Sequence, residues 1–349
     1  MIKHNSPCIK KDYLEEVNQT LLSNKLTTGS GINRVEKFFT KNYYKSGYAC
    51  MVSSGTSALF LAIKSLSQKK NQKILIPTYS CSALLNAIYL SGNIPIICDV
   101  DLNNFSIGKE KKYKNVDIII LVNIFGSDHG LKKIKKTYPK AKIILDACHS
   151  IGKKIKKNDM CFFSDIVIHS FYSTKIVTSG HGGLIWSKNK KYINFCKNYI
   201  NFDQRRKYEE RFNFLVTDFQ AILLLKQLKN LENFRLFRKN IFEKYKLSIS
   251  KNINIFSKFD LSTDIVYRAV LIFQDQKKRD NFLSYMKRNK VECIIPIMNY
   301  ELLHNYLRLN KKNYKNSEKI CNLTVSIPIH HNLNKSNLNY ICKVLRNFK

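Results

Sequence analysis

The sequence predicts an α/β fold in which a mainly parallel, seven-stranded sheet carries helices on both faces and is followed by a smaller C-terminal α/β domain. Three observations carry this reading. Seven short apolar runs recur through the first two thirds of the 349 residues. Most are separated by polar segments long enough for a helix. After about Leu236 the alternation gives way to a different pattern. Repeated strand–helix alternation argues for a parallel sheet covered on both faces.

The runs are residues 49–52, 74–76, 94–98, 118–122, 143–145, 166–168 and 184–186. Helices are predicted between them, for example over 58–66 and 82–89. A long, Leu-rich amphipathic helix is predicted over 218–230. We divide the chain into a large domain, 1–235, and a small one, 236–349. In the small one the pattern predicts a strand at 265–273, a helix over 277–288, a strand at 291–295 and a closing helix over 335–347. Ligands of open α/β sheets bind beyond the carboxyl ends of the strands, so residues directly after the runs are the candidates for chemistry.

Composition narrows the class. At 44% hydrophobic the chain can bury a sizeable core, and no run approaches the length of a membrane span. Residues 1–16 lack the apolar stretch of a signal peptide, which predicts a soluble cytoplasmic protein. The ten cysteines are scattered, with no C-x-x-C pair and no zinc-like Cys/His spacing. They read as small buried hydrophobes in a reducing compartment, and no metal site is expected. A net charge of +35 is compatible with nucleic acid, a membrane surface or an anionic substrate. The lysines are spread along the whole chain among Asn and Ile, as an AT-rich coding sequence would produce. No specific nucleic-acid partner is therefore expected, only general attraction to polyanions at low salt.

The tract from His169 to Gly183 is the most informative. A single lysine, Lys175, stands after a predicted buried strand, among Ser, Thr, Gly and β-branched residues. Desolvation there would lower its pKa and suit it to act as an amine nucleophile that forms a Schiff base. The alternative is a loop lysine that snorkels to water. Ser53-Ser54-Gly55-Thr56-Ser57-Ala58 follows another strand and opens a helix. It is either a phosphate cup, with small residues and free helical N–H groups, or simply an N-cap. Asp146 ends the strand at 143–145 and precedes His149 by three residues. It is a metal ligand, a base, a partner for a protonated ring nitrogen, or a helix cap. Taken together, cup, acid and lysine match the three handles of pyridoxal phosphate: its phosphate, its pyridine nitrogen and its aldehyde.

The chain also resembles, over nearly its whole length, the DegT/DnrJ/EryC1/StrS family of sugar aminotransferases. These have the aspartate-aminotransferase, PLP transferase type I fold. The resemblance starts at Thr28-Gly29 and Arg34-Val35-Glu36-Lys37-Phe38, and continues through Ser54-Gly55-Thr56-Ser57-Ala58-Leu59 and Pro77-Thr78-Tyr79-Ser80-Cys81. Further blocks are Asn86-Ala87-Ile88, Gly92, Pro95, Asp99-Val100-Asp101, Asn123-Ile124-Phe125-Gly126 and Asp146-Ala147-Cys148-His149-Ser150-Ile151-Gly152. Ser170-Phe171-Tyr172-Ser173-Thr174-Lys175 with Gly180-His181-Gly182-Gly183 is the lysine block. Asn213, Thr217-Asp218, Gln220-Ala221 and Val325-Ser326-Ile327-Pro328-Ile329-His330 complete the series.

The resemblance implies roles. Lys175 would hold the cofactor covalently and later shuttle a proton. Asp146 would pair with the pyridinium nitrogen, and His149 would lie against the cofactor ring or its hydroxyl. Gly55, Thr56 and Ser170 would bind the phosphate. Asn213 would reach a phosphate in the other subunit, which implies a homodimer with shared active sites. The implied activity is transfer of an amino group, from glutamate, to a nucleotide-linked keto sugar, a 4-keto-6-deoxy hexose, for a surface polysaccharide or glycan. The rivals are a PLP-dependent dehydratase and a non-catalytic regulatory relative. In the family the dehydratases replace the lysine by histidine, and Lys175 stands here. Three positions depart from the family's common pattern. Leu145 stands in place of Glu, Cys81 in place of an aromatic that stacks on the cofactor, and Leu215 in place of Arg. Arg205, Arg206 and Arg211 are candidates to compensate for the last, and His181 is assigned no role.

Overall fold

Each of the seven apolar runs is a strand of one sheet in the computed structural model, which describes residues 1–27, 29–67, 69–108, 112–127, 130–156 and 159–348. Thr28 of the first resemblance block lies outside these residues. The strands are β1 (Tyr48–Val52), β2 (Lys73–Pro77), β3 (Ile94–Cys98), β4 (Ile118–Val122), β5 (Lys142–Asp146), β6 (Ile166–Ser170) and β7 (Gly183–Ser187). Their order across the sheet is β1-β7-β6-β5-β4-β2-β3. Neighbours from β3 through β6 pair in parallel, and β7 is antiparallel to both β1 and β6. The register sets Gly183 opposite both Val52 and Ser170, so the carboxyl ends of β1 and β6 flank the start of β7.

Alternation along each strand feeds two cores, one per face. Leu75, Ile119, Leu121, Ile143, Leu145, Val167 and Leu184 pack with Ala221, Leu224 and Leu228. Ile74, Ile76, Ile118, Ile120, Ile144, Ile166 and Ile168 pack with Leu59 to Ile63 and with Leu84 and Ile88. Those helical residues come from α3 (Gly55–Leu66), α4 (Ala83–Leu90) and α7 (Asp218–Leu228); the other helices of this part are α1 (Leu14–Leu22), α2 (Ser30–Lys37), α5 (Leu131–Thr137) and α6 (Lys190–Ile200). A further helix, α8 (Leu231–Lys246), runs unbroken through residue 235. Its first turns, with Leu231 and Phe234, belong to the first core. Ile241, Phe242 and Tyr245 belong to a third core formed by the C-terminal part.

That part is built on a three-stranded sheet of β8 (Asn254–Ile255), β9 (Ala269–Ile272) and β10 (Thr324–Ile327), in the order β10-β9-β8. Around it lie α9 (Gln276–Arg288), α10 (Leu303–Tyr306), α11 (Lys315–Leu323) and α12 (Lys335–Asn347). Two expectations are corrected. The strand expected over 265–273 is shorter, because backbone groups ahead of β9 bond elsewhere. Tyr267 N–H donates to the Phe125 carbonyl at 2.9 Å, and Arg238 Nη1 donates to the carbonyls of Val266 and Tyr267 at 3.2 and 3.0 Å. The segment expected as a strand at 291–295 makes only isolated bridges, Ile2 with Val291 and Ile294 with Ser326. It is shared between the N-terminal segment and β10, so neither side builds a ladder.

All ten cysteines are free, and seven are buried. Among the described residues no helix is long and apolar enough to cross a membrane, and no group of three His, Cys, Asp or Glu side chains could hold a metal ion.

Inside the large core His169 is buried, with Nε2 2.6 Å from the Tyr44 hydroxyl and no side-chain partner for Nδ1 among the described residues. Burial pushes its pKa down to about 3. The folded protein therefore holds it neutral, whereas the unfolded chain lets it charge near the usual value of about 6.5. Stability from this group is complete above that value and is lost as the pH falls toward the folded pKa. At pH 5 the loss from His169 alone is about 2 kcal/mol. Denaturant unfolding at pH 7 and pH 5 measures it, and the difference should shrink in His169→Gln. An identical pH dependence in that variant would refute the assignment.

Candidate active site

At the carboxyl edge of the sheet lies a cavity of about 490 Å³, closed on its far side by Tyr267, Arg268, Pro296 and Ile297 of the C-terminal part. Gly55, Thr56, Asp146, His149, Ser170 and Lys175 all line it. The chain reaches this edge at the ends of β5 and β6 and at the start of α3, so residues far apart in sequence converge by topology.

The segment Ser54-Gly55-Thr56 is both cap and cradle. Ser54 Oγ accepts the Ser57 N–H at 3.0 Å, and Ser57 Oγ accepts the Ser54 N–H at 2.9 Å. This reciprocal cap employs Ser54 and Ser57. The first-turn N–H groups of Gly55 and Thr56, which have no acceptor within the helix, lie at the cavity wall at the positive end of α3. Close approach explains the glycines. A Cβ on Gly183 would lie 2.2 Å from the Ser54 carbonyl oxygen, and one on Gly55 would lie 2.8 Å from Ser170 Cβ. Larger residues would drive the cradle away from the end of β6.

Asp146 terminates β5, is 5% exposed, and accepts the Cys148 N–H on Oδ1 at 3.0 Å. His149 stacks face to face on Tyr267, with ring centroids 3.9 Å apart and planes 12° from parallel. Its Nδ1 accepts the Phe125 N–H at 3.4 Å, which leaves the ring proton on Nε2. Burial, reinforced by Lys175 and Arg268, holds its pKa well below the usual value, so the ring is neutral.

Lys175 sits on the loop after β6. The buried Gln227 of α7 holds this loop from behind, accepting the Thr178 N–H at 3.1 Å and donating to the Thr178 carbonyl. The half-buried Lys175 lines the cavity, with Nζ 5.3 Å from the centroid of the Tyr267 ring. Here the structure reverses an expectation. Burial does pull the amine's pKa down, and is the largest single influence. The Tyr267 hydroxyl, the thiols of Cys148 and Cys81, and Asp146 together push harder the other way. The net shift is upward, and the amine rests protonated. The same pairing lowers the Tyr267 hydroxyl, against its burial.

Tyr267 and Arg268 were missed by sequence reasoning. The one available signal was an arginine interrupting an apolar run. Cys81 and His181 also line the cavity, His181 with its ring edge-on to Tyr172 at 5.4 Å. Asn213 does not: it is exposed on the segment between α6 and α7 and accepts the Leu215 N–H at 3.3 Å. Leu215 is exposed as well. Arg205, Arg206 and Arg211 line a separate surface hollow, Arg211 being paired with Glu209, so within one protomer none reaches the cavity. Asp218 serves the fold instead, its Oδ1 accepting the Ile32 N–H at 3.1 Å at the start of α2.

This sheet, its C-terminal companion and the cavity between them define the architecture of the aminotransferases. The molecule superposes on Helicobacter pylori PseC, an aminotransferase involved in the biosynthesis of pseudoaminic acid, with a TM-score of 0.88 over 99% of both chains at 20% identity. On ntda from Bacillus subtilis with bound cofactor PMP the TM-score is 0.83, over 99% of this chain and 86% of that one at 20% identity. Residues 7–346 match the DegT/DnrJ/EryC1/StrS aminotransferase family, and the chain belongs to it. One relative is the GDP-perosamine synthase of Escherichia coli O157:H7, 23% identical over an alignment of 354 positions that covers 97% of this chain and 95% of that protein. The protein is accordingly an aminotransferase, as the family resemblance in its sequence implied.

Proposed function

We propose that the protein is a pyridoxal 5′-phosphate-dependent aminotransferase that moves an amino group from glutamate to a nucleotide-linked keto sugar, a 4-keto-6-deoxy hexose, for a surface polysaccharide or glycan. One observation carries the reading: a single cavity brings together the α3 cradle, Asp146 and Lys175. The residues fit the cofactor. Gly55 and Gly183 let the cradle sit directly against Ser170 and the start of β7, and the only acid among the lining residues is Asp146. The backbone N–H groups of Gly55 and Thr56, with Ser170, would hold the phosphate. Asp146 would keep a proton on the ring nitrogen, and neutral His149 would lie against the ring or its hydroxyl. When bound, the cofactor supplies an electron sink for the carbon that bears the transferred nitrogen. Lys175 would anchor the cofactor's aldehyde and, once neutral, take a proton from the donor's α-carbon and deliver one at the end of the half-reaction.

The substrate class is supported by the named activities of relatives. They include GDP-perosamine synthase, a dTDP-4-amino-4,6-dideoxy-D-glucose transaminase of Shigella dysenteriae, and PseC. Asn213 is exposed and does not line its own cavity, which supports a homodimer in which it serves the partner's site. Absorbance tests the proposal. The purified protein with cofactor should be yellow, lose that band on adding glutamate, and recover it with one member of a panel of nucleotide-linked keto sugars. Cofactor binding without a glutamate response would favour a regulatory relative. A colourless protein that takes up no cofactor would defeat the proposal altogether.

A further inference from the structure

Tyr267 has no part in the roles above, yet it touches two residues that do. It is buried, belongs to the C-terminal part and lines the cavity. Its ring lies flat on His149, centroids 3.9 Å apart and planes 12° from parallel. Its hydroxyl donates at 3.4 Å to the carbonyl of Thr174, the peptide that leads into Lys175. The Lys175 amine itself stands 5.3 Å from the ring centroid. One side chain from the far wall therefore meets both functional residues of the near wall.

The tyrosine is held in place from behind. Its N–H donates to the Phe125 carbonyl at 2.9 Å, and buried Arg238 donates to its carbonyl at 3.0 Å. The two parts of the chain meet closely here, since a Cβ on Gly126 would collide with the Ile265 carbonyl oxygen. The partners need that support. His149 accepts one N–H, from Phe125 at 3.4 Å, and a single hydrogen bond fixes an atom of the ring but not its plane. A face-to-face neighbour fixes the plane. Packing alone would call for an apolar ring, whereas this hydroxyl binds the segment that carries the amine. Burial lowers the Lys175 pKa, and among the groups that raise it Tyr267 leads, ahead of Cys148, Cys81 and Asp146. Arg268 and Arg238 in turn face the phenol, and His149 is neutral.

We propose that Tyr267 is a positioning residue of the reaction: its ring sets the plane in which His149 meets the cofactor, and its hydroxyl braces the peptide of Lys175 beside the amine. The inference rests on the aminotransferase reading of the cavity.

The test compares full-length wild type, Tyr267→Phe, Tyr267→Leu, His149→Ala and the Tyr267→Leu/His149→Ala double variant. Absorbance follows covalent cofactor uptake across pH, then the single-turnover rate of the loaded protein with saturating glutamate. Tyr267→Phe keeps the ring and removes the phenol, so its uptake should level off at a lower pH than in the wild type. Tyr267→Leu removes the ring as well, and its single-turnover rate should fall a further roughly 2–10-fold, the worth of one aromatic pair. That further loss should vanish where His149 is already alanine, because the ring then has nothing to orient. An uptake profile unshifted in Tyr267→Phe overturns the proposal. So does equal turnover in Tyr267→Phe and Tyr267→Leu, or a ring effect that persists in full in the His149→Ala background. Joint loss of uptake and turnover in both single Tyr267 variants, with lower melting temperatures, makes the residue a structural strut and likewise overturns it. Wild-type protein that takes up no cofactor sinks the aminotransferase reading instead.

Discussion

Lys175→Ala is expected to fold normally, to hold no cofactor covalently, and to transaminate more slowly by a factor on the order of 10²–10⁴ or more, the range assigned to a positioned proton-transfer group. That factor corresponds to about 3–5 kcal/mol of transition-state stabilisation. Folding should survive because the side chain packs against cavity rather than core, and its removal eliminates a desolvated charge. Borohydride treatment followed by intact-mass measurement should add the cofactor's mass to the wild type and nothing to the variant. The raised pKa gives the wild type a second signature. An amine that rests protonated must lose a proton before it can bond an aldehyde, so covalent uptake should accelerate as the pH rises from neutrality toward the folded pKa. Uptake that is fastest below pH 7 would contradict the protonated resting state. Unchanged turnover in Lys175→Ala would remove the residue from the chemistry.

What the sequence disclosed and what it withheld follow from the same physics. Strands covered on both faces are nearly continuous apolar runs, so β1 to β7 could be read directly from residues such as Ile118 to Val122. Lys175, Asp146 and the α3 cradle could be read because each lies at or soon after a strand's carboxyl end, and in such sheets those positions face the ligand. The isolated segment at Val291 could not be read, because its partners are Ile2 and Ser326, distant in sequence. Tyr267 and Arg268 were hidden for a related reason. Their backbone satisfies itself on Phe125 and Arg238 rather than in a ladder, and only the folded chain sets them opposite Lys175. The sign of the lysine's shift was beyond reach as well. Burial alone argues for a lowered pKa, and the opposing groups, Tyr267, Cys148, Cys81 and Asp146, come from three separate stretches of chain.

Asp146→Asn should separate the two halves of the proposal. Asparagine keeps the size of the side chain and an oxygen able to accept the Cys148 N–H, so the turn after β5 should persist. The negative charge disappears, and with it the means of keeping a proton on the ring nitrogen. Single-turnover reaction with glutamate should slow by about 10²–10³-fold, the cost typical of losing one preorganised electrostatic contact. Covalent uptake should respond in the opposite sense. Asp146 is one of the groups that raise the Lys175 pKa, so its neutralisation frees more of the amine at neutral pH. Cofactor should therefore attach at least as fast as in the wild type while turnover collapses. Stopped-flow absorbance follows both processes in the same sample. If the two rates fell together, Asp146 would be supporting the site's structure rather than the ring nitrogen. If neither changed, the carboxylate would have no place in the reaction.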